Sequence, residues 1–199
     1  MSKKYREPFP AEILPELVSI DEGSGRMTWR DRKDDMFRGA KMGSKRACSV
    51  WNSRYSGKPA LSNIGKNGYM YGYILGNMMV AHRIAYAIYH GEWPSLDIDH
   101  INGDRSDNSK ANLRLSTRTQ NLRNRAICGR NTSGVVGVSW SKACSKWRAY
   151  IKDENKQIHI GVFESKDDAI SARKEAEKRL GFSRNHGEIR KKYGRGIPD

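Results

Sequence analysis

Cysteine is scarce. Cys48, Cys128 and Cys144 are the only three in 199 residues. An odd number at such wide spacings fits neither a disulfide framework nor a zinc knuckle, so a reducing cytoplasm is the expected setting. Long apolar runs are missing as well, and nothing approaches the roughly 18–20 residues that a membrane span needs. The opening MSKKYREPFP has basic residues with no apolar stretch behind them, so neither a secretory signal nor a membrane partner is expected. Hydrophobic residues are 37% of the chain, which supplies small cores rather than one thick core.

Acid is the most telling shortage. Between Asn108 and Lys152 there is no Asp or Glu, while the same stretch carries Lys110, Arg114, Arg118, Arg123, Arg125, Arg130, Lys142, Lys146, Arg148 and Lys152. Over the whole chain 37 Lys and Arg face 22 Asp and Glu, a net charge of +15 and a pI near 9.9. Cations without counter-charges repel in a compact fold, and phosphates relieve that repulsion with release of counterions. Trp140, Trp147 and Tyr150 are interleaved with the charges, as on surfaces that bind nucleic acid. A polyanionic partner is expected, and no small-molecule substrate.

Residues 1–80 read as short strands and turns. IDEGSGRMTWR sets a Gly-containing turn between Ile20 and the apolar Met27 and Trp29. NGYMYGYILGNMMVAH reads as a hairpin, with Tyr69, Tyr71 and Tyr73 alternating and Gly76-Asn77 at the turn. Residues 31–60 show no clear period. From 81 the pattern switches: Ile84, Ala85, Ile88 and Tyr89 share one helix face, Gly91 ends the run and Pro94 follows. LDIDH is a short strand entering the polar loop INGDRSDNSKAN, LRL is a second strand, and STRTQNLRNR is a helix with Thr117 and Gln120 spaced as a capping box. Residues 126–134 read as a linker. Three strand-like runs follow, then a helix capped by Ser165 with Ala169, Ile170, Ala172, Ala176 and Leu180 on its inner side, and residues 183–199 form a basic tail. The fold class is α+β and modular.

Chemistry concentrates in DHINGDRSDNSKANLRLSTRTQN, which holds Asp99, His100, Asn102, Asp104, Asp107, Asn108, Asn112 and Asn121. Hydrolysis of a phosphodiester needs an activated water, stabilisation of charge on the phosphate, and help for the leaving oxygen. A neutral histidine can take the proton of the water. A hard divalent cation prefers oxygen ligands, retains waters, and needs only one or two protein groups. Asn102 and Asp104 serve equally well as turn caps.

Over residues 81–125 these features resemble the His-Asn-His (HNH) nuclease family, whose core is the ββα-metal finger, and in particular its phage-type members, many of them homing endonucleases. The resemblance implies that His100 is the general base and Asp99 a metal ligand. It places the buttressing Asn on Asn112, twelve residues after His100, and the helical metal ligand on Asn121, twenty-one residues after it. Many relatives carry His at that last position, so this chain is of a His-Asn-Asn type, and an all-oxygen ligand set favours Mg²⁺ or Mn²⁺ over Zn²⁺. Asn108 either orients the site or fixes the loop, and His82 either contacts phosphate or packs under the finger. His90, His159 and His186 lie outside any motif.

Residues 135–182 resemble the APETALA-type domain of plant ethylene-response factors through GVVGVSW, KWRAYI, IGVF and the Ala-rich helix. That resemblance implies a three-stranded antiparallel sheet packed on one helix and laid against duplex DNA. The contacts would be Trp140, Lys142, Lys146, Trp147, Arg148, Tyr150 and Lys152, and the finger would add Arg114, Arg118, Arg123 and Arg125. Lysine suits phosphate contact, whereas base reading leans on arginine. Together the resemblances imply a phage homing endonuclease in the cytoplasm of the bacterial host. As a monomer or weak dimer it would nick double-stranded DNA with one divalent metal. The alternative is a sequence-specific DNA-binding regulator with an inactive finger, and RNA binding is a third reading.

Overall fold

The computed structural model describes residues 7–123, 131–153, 156–182 and 186–187. They fall into two compact units. Of the described residues, one unit contains those up to His100 together with Asp104–Leu115, and the other contains Ile101–Gly103 and those from Ser116 onward. Small sheets and helices are mixed in both, an α+β architecture as the sequence implies.

The first unit opens with a 3-10 turn, Ala11–Ile13, that runs into α1 (Leu14–Leu17). Strands β1 (Val18–Ile20) and β2 (Met27–Trp29) pair antiparallel, with Val18 opposite Trp29. Between them the Gly-containing turn forms as expected. Asp21 accepts hydrogen bonds from the Ser24 amide at 2.7 Å and its hydroxyl at 2.6 Å, which hold its carboxyl below the usual value. Gly25 has φ +67°, and a Cβ there would stand 2.2 Å from the backbone carbon of Asn108. Close approach and left-handed backbone both require glycine at this point.

The segment without a readable period contains a 3-10 turn, Asp34–Phe37, and helix α2 (Ser44–Tyr55). None of the residues of α2 is fully buried, which is why the apolar pattern is faint. Polar clips fix it instead: Asn52 accepts from the Arg32 amide at 2.8 Å and donates to the Arg32 carbonyl at 3.0 Å.

A three-stranded antiparallel sheet follows in the order β3 (Asn63–Ile64), β4 (Met70–Ile74), β5 (Asn77–Val80). Ile74 pairs with Asn77, so the hairpin loop is Leu75-Gly76, one residue earlier than the sequence suggests. Both loop residues have positive φ, 48° and 79°, the geometry in which a two-residue turn matches strand twist. Ile74 is buried and Tyr73 is 63% exposed, while Tyr69 and Tyr71 are half-buried.

Helix α3 (Ala81–His90) ends as expected, at Gly91 in left-handed conformation. It is followed by the paired strands β6 (Asp97–His100) and β7 (Leu113–Ser116). Leu14, Leu17, Val18, Met27, Ile74, Ile84, Ala85, Ile98 and Leu113 form one buried cluster. Residues on either side of position 80 therefore build a single core, and β6 is anchored in it through Ile98.

The second unit begins with the expected capping box. The Gln120 amide donates to Thr117 Oγ1 at 3.3 Å and the Thr117 amide to Gln120 Oε1 at 2.8 Å, at the start of α4 (Arg118–Arg123). Residues 124–130, most of the expected linker, lie outside the described residues. Its remainder is a tight turn in which Asn131 accepts from the Gly134 amide at 2.7 Å. Strands β8 (Val138–Ser141), β9 (Lys146–Asp153) and β10 (Lys156–Phe163) form an antiparallel sheet in the order β10-β9-β8. Helix α5 (Lys166–Arg179) packs on it, capped by Ser165, whose hydroxyl accepts from the Asp167 amide at 3.1 Å.

The inner side of α5 differs in part from expectation. Ala169 and Ala176 are buried, but so is Arg173, 2% exposed. Arg173 pairs with Glu177 at 3.2 Å, and its Nε donates to the Val136 carbonyl at 2.9 Å. His186, also buried, stands 3.8 Å from Glu177. A charged i,i+4 pair therefore fills space that an apolar pattern cannot announce. The tail 188–199 lies outside the described residues.

Candidate active site

Strand β6 alternates its side chains, and its last two residues carry the site. Ile98 points into the core, and next to it Asp99 and His100 are buried as well, at 9% and 3% exposure. Buried polar groups must be partnered, and both are. Arg114, from neighbouring β7, donates to Asp99 Oδ2 from Nε at 3.1 Å and from Nη2 at 2.7 Å. His100 Nε2 stands 3.4 Å from Asn108 Oδ1.

Asn108 is held from several sides. It is 1% exposed. Its amide nitrogen points toward the Ser106 carbonyl at 3.4 Å and Met70 sulfur at 3.5 Å, which turns the oxygen toward the imidazole. Its own carbonyl accepts from the Tyr89 hydroxyl at 3.1 Å. Burial, followed by nearby carboxylates including Glu22, pushes the Tyr89 phenol up to about 12, so it remains a donor. The tip of the β1–β2 turn closes the other side through Gly25, and the Lys110 amide donates to the Glu22 carbonyl at 3.0 Å. Asn112, expected as the buttress, is buried and donates to the Asp107 carbonyl at 2.7 Å, so it closes the second half of the loop.

An aromatic wall stands beside His100. The ring of His82 meets it edge-on at 5.4 Å, and Tyr69 packs against both histidines at 4.9 and 5.8 Å. The Arg105 guanidinium lies 4.8 Å over Tyr69 and donates to the Asn67 carbonyl at 2.7 Å. Among the described residues His82 Nδ1 is buried with no hydrogen-bond partner. Burial, then the neighbouring His100 and Arg83, pushes His82 down to about 3, so it is neutral at any ordinary pH. His100 also lies below the usual histidine value because of burial, an effect opposed by Asn108 and by the carboxylates Asp99 and Asp107. A neutral imidazole with a fixed orientation is the form able to accept a proton.

Asn121 belongs to the second unit, where its Oδ1 accepts from the buried Ser116 hydroxyl at 2.7 Å. Among the described residues no three His, Cys, Asp or Glu side chains gather as a metal site. Asp99 offers a carboxylate oxygen, the donor type that a hard cation keeping most of its waters prefers.

The other sequence-predicted residues are spread more widely. On β9, Lys146, Arg148, Tyr150 and Lys152 alternate with Trp147, Ala149 and Ile151. Ala149 and Ile151 are buried toward α5, so the basic residues and Tyr150 share the opposite face, where Tyr150 pairs with His159. Trp140 and Trp147 pair across β8 and β9 on the face of Val138 and Ala149. Trp147 packs into the small core beneath Lys166, while Trp140 remains 49% exposed. Lys142 is exposed in the β8–β9 turn, and Lys146 also pairs with Glu164 at 2.6 Å. Arg123 donates to Asp153 at 2.6 Å and covers Phe182, which commits it to the interior of its unit. Arg118 heads α4, and Arg125 lies outside the described residues.

Sequence reasoning missed Tyr89 and Gly25 as supports of the site. Tyr89 had a signal: it lies seven residues after His82, two turns along one face of α3, so both reach the same loop system. Gly25 had none, since its partner Asn108 is remote in sequence.

Residues 79–123 match a family model described as HNH endonuclease. The segment bearing His82, Asp99, His100, Asn108, Asn112 and Asn121 is thus similar to the HNH endonuclease family. Similar proteins include Protein 3.8 of Escherichia phage T7, 40% identical over 70 residues that cover 35% of this chain and 55% of that protein. An uncharacterised HNH endonuclease of Acanthamoeba polyphaga mimivirus is 40% identical over 78 residues, 38% of this chain and 41% of the relative. The chain spans about half the length of these relatives, 55% and 41%. No solved structure matches it. Among the described residues no helix is long and apolar enough to cross a membrane.

Proposed function

We propose that the protein is a metal-dependent endonuclease that hydrolyses phosphodiester bonds of double-stranded DNA, with His100 as general base. The observation that carries this reading is the fixed, buried, neutral imidazole of His100 beside Asp99, with the Asn108 oxygen 3.4 Å from its Nε2. The amide's orientation makes Nε2 the protonated nitrogen, so Nδ1 carries the lone pair that takes the proton of the attacking water. Asp99 and Asn121 take the metal-ligand roles. A Mg²⁺ or Mn²⁺ ion, when bound, would offset charge on the phosphate and on the leaving oxygen.

Arg114, half exposed beside Asp99, is suited to hold a phosphate near the site. His82 remains neutral and walls off water from one side of His100, while Asn108 sets the tautomer. On the second unit, the outward Lys146, Arg148, Tyr150 and Lys152 form a face for duplex DNA in the manner of the APETALA-type domain. One active site per chain makes nicking the natural product of a monomer. The relative from Escherichia phage T7 supports a phage setting inside a bacterial host, and a homing role is consistent with it.

The test is His100→Ala. The variant is expected to lose at least about a hundredfold in DNA cleavage, the loss typical of a missing general base, while filter binding to the same duplex persists. Loss of binding together with cleavage, and of the thermal transition, would make His100 a structural residue instead.

A further inference from the structure

Helix α2 is a puzzle as a structural element. Its twelve residues include none that is fully buried, yet its orientation is fixed. The inward side holds Cys48, Trp51 and Asn52. The Cys48 thiol donates to the Arg32 carbonyl at 3.0 Å, Trp51 meets Trp29 edge-on at 5.8 Å, and the Arg32 guanidinium lies 4.4 Å over Trp51. These contacts define a rigid mount. What the mount presents outward is Lys45, Arg46, Ser49, Val50, Ser53 and Arg54, all exposed.

The charge on that face is uncompensated. From Met36 to Gly91 the chain has no Asp or Glu and eight Lys and Arg, a second acid-free stretch besides the one after Asn108. Among the described residues Lys45, Arg46 and Arg54 form no ion pair. The nearest acids in sequence, Asp34 and Asp35, sit on the 3-10 turn that α2 packs beside. Across residues 30–58 nine cations face three Asp.

We infer that the outer face of α2 is a duplex-DNA contact surface, with Lys45, Arg46 and Arg54 on phosphates and Ser49 and Ser53 between them. The inference rests on the DNA reading above and adds a surface on the first unit, which carries His100. Charge complementarity names the partner, and composition excludes a protein groove: a protein interface needs large buried anchors, and the face offers only Val50 between short hydroxyls. Geometry agrees as well. Lys45 and Arg54 are nine residues apart, about 13–14 Å along the helix at about 1.5 Å per residue, so cations flank the exposed face at both ends.

The experiment compares wild type with the triple variant Lys45→Gln, Arg46→Gln, Arg54→Gln. Binding to a labelled duplex is measured from 50 to 300 mM NaCl in chelator, where no cleavage intervenes. Each phosphate contact contributes about −0.9 to the slope of log K against log salt. The variant is therefore expected to lose about 2 to 3 from that slope on any duplex sequence. An unchanged thermal midpoint establishes that the exposed substitutions leave the fold intact. The double variant Lys45→Glu, Arg46→Glu is expected to weaken binding further still. A wild-type slope in both variants overturns the inference and leaves the nuclease reading standing. A reduced slope with a wild type that never cleaves upholds the inference and sinks the nuclease reading. Tighter binding to an RNA hairpin than to duplex DNA overturns the choice of partner.

Discussion

At the scale of single residues, the site depends on keeping two histidines uncharged side by side. His82 carries the larger cost, because its folded-state value lies near 3 while the unfolded chain titrates at the ordinary histidine value. Between those values the unfolded chain binds a proton that the native state refuses. Unfolding stability therefore rises with pH across this window, is fully present above about pH 6.5 and is lost on acidification toward pH 3. His82→Phe keeps the ring contact with Tyr69 and removes the titration. It is expected to flatten the fall in thermal midpoint between pH 6.5 and 4.5, and an unchanged acid profile would show that another group governs it.

Asp99, His100, Asn112 and Asn121 stand out in the sequence because they form a spaced motif. Asn108 was named with two alternatives, orienting the site or fixing the loop, because its place beside the imidazole exists only once the loop is folded. Gly25 acts across a distance in sequence that no local pattern spans.

At the scale of elements, regular patterns were readable and mixed ones were not. Helix α3, with its apolar face and Gly91 stop, and the capping box of α4 formed where expected, as did the sheet and helix of the second unit. Helix α2 escaped because its inward side is built of Trp, Cys and Asn clips rather than an aliphatic stripe. The β4–β5 hairpin was read one residue late because its loop begins with leucine, a residue rarely placed at positive φ. That residue stores strain: left-handed backbone costs an ordinary L-residue about 1–2 kcal/mol. Leu75→Asn, which tolerates the conformation at an exposed site, is expected to gain about 1 kcal/mol in urea denaturation, and no gain would mean that Leu75 makes compensating contacts.

The interior of the second unit calls for the opposite expectation. Removing one partner of a buried ion pair leaves an uncompensated charge, so Glu177→Ala is expected to cost about 3–5 kcal/mol. Replacing Arg173 and Glu177 together with leucine should recover much of it in the same denaturation measurement. A cost under about 1 kcal/mol for the single variant would mean that the pair behaves like a surface salt bridge.

For the whole molecule, the family match is shorter than the structure that supports it. The matched segment covers residues 79–123, but its core draws on Leu14, Leu17, Val18 and Met27, and its loop rests on the β1–β2 turn. The N-terminal region is therefore part of what makes the site rigid. In the endonuclease proposed above, a separate basic sheet on the same chain would raise the local concentration of the site on duplex DNA without any new contact at the scissile bond. Net charge and the acid-free stretches are what point the sequence to a nucleic-acid partner. Charge alone says nothing of chemistry, which the Asp99-His100 pair had to supply.

The most direct measurement is a supercoiled-DNA relaxation assay on wild type and His100→Ala, each with Mg²⁺, Mn²⁺ or chelator. The substrate set should include a random-sequence library, so that a missing target site is not mistaken for inactivity. The account predicts open circles from wild type with metal, none with chelator, and none from His100→Ala although it still binds the duplex. Cleavage by His100→Ala at the wild-type rate, or an inert wild type across the whole library that binds tightly nonetheless, would contradict it.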